Sequence, residues 1–206
     1  MSKMLTILIA IIVLIGSFLA IRYAKDSYKL LPINEKNPLK PTSNFQDWKV
    51  FSQTDGTFSA LFPVLPQHVV DKIADPITKE ARKYDMYAAA DEQGTGFIIS
   101  TITFPKKVDK QDAEVLLKNA VNDMLARNKE NKLKKSTIGK FQDSDSLDFE
   151  LENKEVTVAG KAILHNNILY VLSVADKINE FNVDELNFFM NSFHILDQNS
   201  TPAVKL

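Results

Sequence analysis

At 206 residues, with a net charge of −1 and no cysteine, the chain is long enough for one domain plus an appendage. The lack of cysteine excludes disulfides, thiolate metal sites and lipid attachment through an N-terminal cysteine. The first 25 residues carry three basic and no acidic side chains; the remainder holds 22 basic against 26 acidic, net −4, which argues against the basic face a nucleic-acid binder needs.

The first predicted element is apolar. From Met4 to Ile21 there is no charged, amide or imidazole side chain, while Lys3 precedes the run and Arg22 and Lys25 follow it. As a helix this stretch would be about 27 Å long, close to the roughly 30 Å of a bilayer's hydrocarbon core. Arg22 and Tyr23 suit the headgroup level. The rival reading is a cleaved signal peptide. The run is longer than the usual apolar region of about 7–15 residues, and cleavage after Ala20 or Ala24 would put Phe18 or Arg22 at the −3 position. Residues 1–25 are therefore expected to be an uncleaved transmembrane signal-anchor, with membrane lipid as the partner of residues 4–21.

Its orientation sets two rules against each other. Arg22, Lys25, Lys29, Lys36 and Lys40 outnumber Lys3, which alone would keep the following domain in the cytoplasm. Long domains cross regardless of such charges, and one apolar segment ahead of one folded domain is the usual layout for export. The expected location is the inner (cytoplasmic) membrane, single-pass, with the domain on the extracytoplasmic side. Residues 26–47 contain Pro32, Pro38 and Pro41 and no hydrophobic period, and read as an extended linker.

Alternation then predicts strands at Trp48–Phe51, Thr57–Phe62 (stopped by Pro63), Gln67–Ile73, Arg82–Ala90 and Gly96–Phe104. The last two are joined by the turn Asp91-Glu92-Gln93-Gly94. Ala113, Leu116, Leu117, Ala120, Val121, Met124 and Leu125 recur at three and four and predict a helix that Asp109 can cap, with Lys118, Asn119, Asn122 and Asp123 on its wet face. Further strands are predicted at Lys132–Phe141, Ser146–Glu152, Glu155–His165 and Ile168–Ala175, the last pair turning at Asn166-Asn167. A final helix, Val183–Ser192, has Asn182 as cap and Glu185 as capping-box partner, with a stripe of Val183, Leu186, Phe189, Met190 and Phe193. Residues 198–206 read as a flexible tail. The expected fold is α+β: an N-terminal transmembrane helix, then a mostly antiparallel sheet of about seven to eight strands packed by two helices on one face or both, the folded domain spanning 48–197.

A search for chemistry finds little. His68, His165 and His194 lie far apart in sequence and in no metal-ligand spacing, so each reads as a turn or strand-end residue. Asp143-Ser144-Asp145-Ser146 with Asp148 resembles part of a calcium loop but lacks the glycine and glutamate such a loop requires, and reads as a solvated turn. Gly94-Thr95-Gly96 opens no helix and reads as a hairpin turn rather than a phosphate loop. Lys129, Lys132, Lys134 and Lys135 read as protection of an edge strand, with contact to anionic lipid as the sharper alternative. Phe58, Phe62, Phe104, Phe149, Phe188, Phe189 and Phe193 are assigned to core packing, although Phe188 lies off its helix stripe and is a candidate contact residue. No catalytic, cofactor-binding or metal-ligating residue is assigned, and no cofactor is expected.

The segment Trp48…Gly56-Thr57-Phe58-Ser59-Ala60-Leu61-Phe62-Pro63-Val64-Leu65-Pro66, with the ending Tyr170-Val171-Leu172…Phe189-Met190-Asn191-Ser192-Phe193, resembles the PsbP/Mog1-like α/β sandwich domains of small exported bacterial proteins over residues 48–196. The resemblance implies an antiparallel sheet with helices packed on it, and a non-catalytic assembly or binding module. It transfers no functional residue. The leading expectation is a membrane-anchored binding or assembly accessory factor with an envelope protein partner. The alternatives are a hydrolase with a dispersed active site and a lipid- or small-ligand-binding module.

Overall fold

The computed structural model describes residues 45–74 and 81–196. The apolar stretch Met4–Ile21, the linker before Phe45 and the tail lie outside them. Among the described residues no helix is long and apolar enough to cross a membrane.

After a 3₁₀ turn at Phe45–Asp47, the strands are β1 Lys49–Ser52, β2 Phe58–Phe62, β3 Gln67–Ala74, β4 Ala81–Ala90 and β5 Gly96–Thr103. Helix α1, Lys110–Leu125, precedes β6 Lys132–Phe141, β7 Ser144–Glu152, β8 Val156–His165 and β9 Ile168–Lys177. Helix α2, Val183–Ser192, and the two-residue β10, His194–Ile195, complete the domain. The mixed α+β class, the two helices and the antiparallel pairing all match expectation. The single sheet does not. The strands divide into a seven-stranded sheet ordered β3-β4-β5-β9-β8-β7-β6 and a three-stranded one ordered β1-β2-β10. Alternation marks a strand with two different faces, but it carries no information about which sheet the strand joins.

The two faces of the large sheet are covered differently. Tyr87, Phe97, Ile99, Ile163, Tyr170, Leu172 and Val174 point to one side, where they meet Phe58 and Phe62 of β2 and Phe189 and Phe193 of α2 in one buried cluster. The cross-strand register fixes this set: Tyr87 pairs with Ile99, and Ile99 with Leu172. The small sheet and α2 therefore form one outer layer. Ser192 clips them together, its Oγ accepting from Leu61 N at 3.0 Å and donating to the Phe189 carbonyl at 2.8 Å. The residues of opposite parity, Leu147, Phe149, Leu151, Ala162, Leu164 and Leu169, meet Ala113, Leu117 and Val121 of α1 on the other side. Each fully buried large apolar side chain contributes about 1.5–3 kcal/mol relative to exposure, so these two interiors supply the main drive to fold.

Both helix starts fall where expected. Asp109 occupies the α1 cap position with extended backbone, but its side chain makes no capping hydrogen bond. Asn182 does cap α2, accepting from Asp184 N at 2.9 Å. The α2 stripe is shifted from the one predicted: Val183 is exposed and Glu185 is fully buried. Phe188, off the stripe, is not bare. It stacks on Phe45 with ring centroids 4.2 Å apart and meets Trp48 edge-on at 5.1 Å.

Candidate functional site

Three places collect side chains capable of function. The first is a polar network joining the β1–β2 turn to the β3–β4 edge. Gly56, at φ +68°, lets that turn close. Gln53 holds it: its Oε1 accepts from Thr57 N and Thr57 Oγ1 at 3.3 and 3.2 Å, and its Nε2 donates to Asp55 Oδ2 at 3.1 Å. Lys83 Nζ donates to Asp55 at 2.9 Å and lies 3.4 Å from Asp85. Asp85 is buried, with Oδ1 2.9 Å from His68 Nε2, and the His68 ring stacks on Tyr87 at 4.3 Å. A buried carboxylate is tolerable when it is paired and hydrogen-bonded in this way. The hydrogen bond from Lys83 holds the Asp55 carboxyl below the usual carboxylate range, and the same bond pushes the Lys83 ammonium up. Burial pushes the Tyr87 phenol up. The charges are consumed in bracing one sheet on the other, so this network is a clamp.

The second place is a polar cleft of about 210 Å³ between the β6–β7 turn, the β8–β9 turn and the start of α1, lined by Lys107, Lys140, Ser144, Asp145, His165 and Asn166 among others. Ser144 Oγ and His165 Nδ1 lie 2.8 Å apart. No motif in the sequence announces this contact. Its only signal is hairpin register: Asp145 pairs with Leu164, so the next rung brings Ser144 to His165. The predicted solvated turn at Asp143–Ser146 is shorter than expected. Left-handed backbone is confined to Gln142 and Asp143, at φ 45° and 64°, and Ser144 is already a buried strand residue. The acidic side chains there do not converge. Asp145 accepts from Lys140 at 2.6 Å, and Asp148 pairs with Lys161.

The other singled-out residues have structural partners. The His194 ring nitrogen meets Gln142 Nε2 at 3.2 Å. The Gly94-Thr95-Gly96 turn is tied to β9, because Thr95 Oγ1 donates to the buried Asp176 at 2.9 Å. Lys134 pairs with Glu152 on the β6–β7 ribbon. The three histidines occupy three separate sites. Among the described residues no group of three or more His, Asp or Glu side chains is placed to hold a metal ion.

The third place is apolar. Trp48, Lys49, Val50, Val64 and Leu65 line an open concavity of about 530 Å³. Val50 is 71% exposed, Leu65 67% and Val64 50%. The cause is local. β1 is an edge strand whose Lys49 pairs with Phe62, so the residues following β2 emerge beside Trp48–Val50. Pro63 and Pro66 then keep Val64-Leu65 out of the ladder, because proline cannot donate to it. Trp48 is anchored from beneath by Phe97, edge-on at 4.9 Å, and its backbone N–H bonds the Phe45 carbonyl. Nothing in the sequence marks Val50, Val64 or Leu65 as contact residues, because short apolar stretches such as Val50-Phe51 and Val64-Leu65 give no sign of which side chains stay exposed.

No family model and no curated protein matches the sequence. Solved structures do. The solution structure of cyanobacterial PsbP (CyanoP) from Synechocystis sp. PCC 6803 aligns with a TM-score of 0.52 and 12% identity, covering 81% of this chain and 98% of that one. A crystal structure from Bacteroides thetaiotaomicron VPI-5482 aligns with a TM-score of 0.40 and 15% identity over 73% of this chain and 49% of that one. The resemblance seen in the opening and closing segments thus extends to the whole architecture, and the chain has a PsbP-like fold.

Proposed function

We propose that the chain is a single-pass, membrane-held accessory module that acts by binding, with its folded domain on the extracytoplasmic side. The observation that carries this reading is where the apolar surface is exposed: Trp48, Val50, Val64 and Leu65 gather at the point where the chain arrives from the apolar stretch Met4–Ile21. The polar network of Asp55, Lys83, Asp85 and His68, by contrast, is an internal brace. A tether raises the local concentration of the domain for partners in the same membrane, and an apolar face at its root suits a domain held beside lipid. The PsbP-like fold supports a binding module only as an architecture.

The test is fractionation followed by capture. Full-length protein is expected to stay with membranes through alkaline extraction, and its domain to be digested by protease added outside an intact inner membrane. A partner recovered from detergent-solubilised membranes should be lost when the chain begins at Ser43. Full-length protein in the soluble fraction would overturn the tether. A protease-protected domain would reverse the orientation, and a partner set indifferent to the anchor would remove the role of localisation.

A further inference from the structure

We infer that the face made by Trp48, Val50, Val64 and Leu65 rests on the bilayer surface, so that the domain is held at two points and its orientation is set. This rests on the tethered reading above. Position is the first argument. Only 23 residues, 22–44, separate the apolar stretch from Phe45, so along the chain the start of the domain is its part nearest the anchor. The 3₁₀ turn then fixes the incoming chain against Trp48. The root of the domain, rather than its far end, is therefore the part held near lipid.

Size is the second argument. Three exposed aliphatic side chains and one tryptophan edge fall well short of the roughly 800 Å² per partner that a stable protein interface buries. They match a shallow second membrane contact, which needs little area when a first attachment has already paid the entropy of association. Chemistry is the third. Tryptophan favours the water–lipid boundary, where an apolar ring and a polar N–H are both satisfied. Lys49 is exposed beside it, without an ion pair among the described residues, and its stem can lie along the surface with the ammonium at headgroup level. The prolines flanking Val64-Leu65 restrict that loop before contact, which reduces the ordering cost of insertion.

Trp48 is the one tryptophan in the sequence, so its emission reports this face alone. The experiment places full-length protein in phosphatidylcholine vesicles whose acyl chains are brominated near the headgroup, and in unbrominated vesicles. Wild-type emission is expected to be quenched by bromine. The double variant Val50→Asp/Leu65→Asp is expected to lose that quenching while keeping the wild-type circular dichroism and resistance to alkaline extraction. Equal emission in both vesicle types, from protein that resists extraction, would overturn the inference and leave the tether standing. Protein released by extraction would overturn both. An unquenched blue shift that grows with the protein-to-lipid ratio would put a second copy on this face and also overturn it.

Discussion

Gly160 of β8 pairs with Ser173 of β9 at a point that leaves no room for a side chain. A Cβ added there would overlap the Leu172 carbonyl oxygen and stand 2.9 Å from Ser173 Cα, and both are backbone atoms that cannot rotate away. Gly160→Ala is expected to destabilise the domain by about 1–3 kcal/mol through overpacking, read as a lower urea midpoint with an unchanged slope. Gly139→Ala is the control, since its Cβ would meet only Ser146 Oγ at 3.7 Å. An unchanged midpoint for Gly160→Ala would show that the two strands can separate without penalty. Residue-level legibility follows local chemistry. The Asn166 turn, at φ +55°, could be read from sequence because asparagine tolerates that region. The Gln142-Asp143 turn falls within the expected gap between Phe141 and Ser146, but is two residues shorter because Ser144 and Asp145 join β7. The Thr95–Asp176 hydrogen bond, between residues 81 apart, carries no local signature at all.

At the scale of elements, β6 is the test case. It is the edge of the large sheet, ten residues long, and every residue from Lys132 to Lys140 is exposed. Leu133 and Ile138 would make it a template for strand addition, but Lys132, Lys134, Lys135 and Lys140 lie along it and the register shifts between Leu133 and Lys135. Charges and bulges are the usual protection of such an edge. Lys132→Val with Lys135→Val is expected to drive concentration-dependent association in sedimentation velocity without lowering the melting temperature of dilute protein. A variant that stays monomeric would assign these lysines another role, contact with anionic lipid among them. The helices are legible because period 3.6 is sustained over 16 residues in α1 and 10 in α2. The small sheet is not, because β10 has only two residues and its partner β2 alternates as a strand of either sheet would.

At the scale of the whole molecule, the buried tyrosines contribute to the alkaline limit of stability. Burial pushes the phenols of Tyr84, Tyr87 and Tyr170 up, so the folded state favours the neutral form. Unfolded tyrosine ionises near about pH 10. The stabilisation from these groups is therefore complete below that pH and is lost as pH rises towards the folded values. The raised Lys83 acts in the same direction, since its ion pair is lost only on deprotonation. On the acid side the lowered Asp55 contributes above about pH 4 and its share is lost below. Burial raises Asp123, whose neutral form is favoured, so acidification relieves part of that loss. The melting temperature is expected to be nearly flat from about pH 5 to 9 and to fall steeply above about pH 10, with tyrosinate absorbance appearing together with unfolding. Tyrosinate that titrates freely in a still-folded protein would contradict this.

Sequence alone determined the local conformations: helices from period 3.6, strands from alternation, turns from glycine and asparagine, and an apolar stretch at Met4–Ile21 long enough to span a bilayer. These depend on neighbours a few residues away, so one dimension holds the information. Only the tertiary structure decided which strands formed the second sheet, that Ser144 meets His165, that His68 braces a buried Asp85, and that Val50, Val64 and Leu65 stay uncovered. An alternating strand shows that it has two faces, but what covers each face is settled by packing among segments far apart in the chain, and exposure is the remainder of that packing.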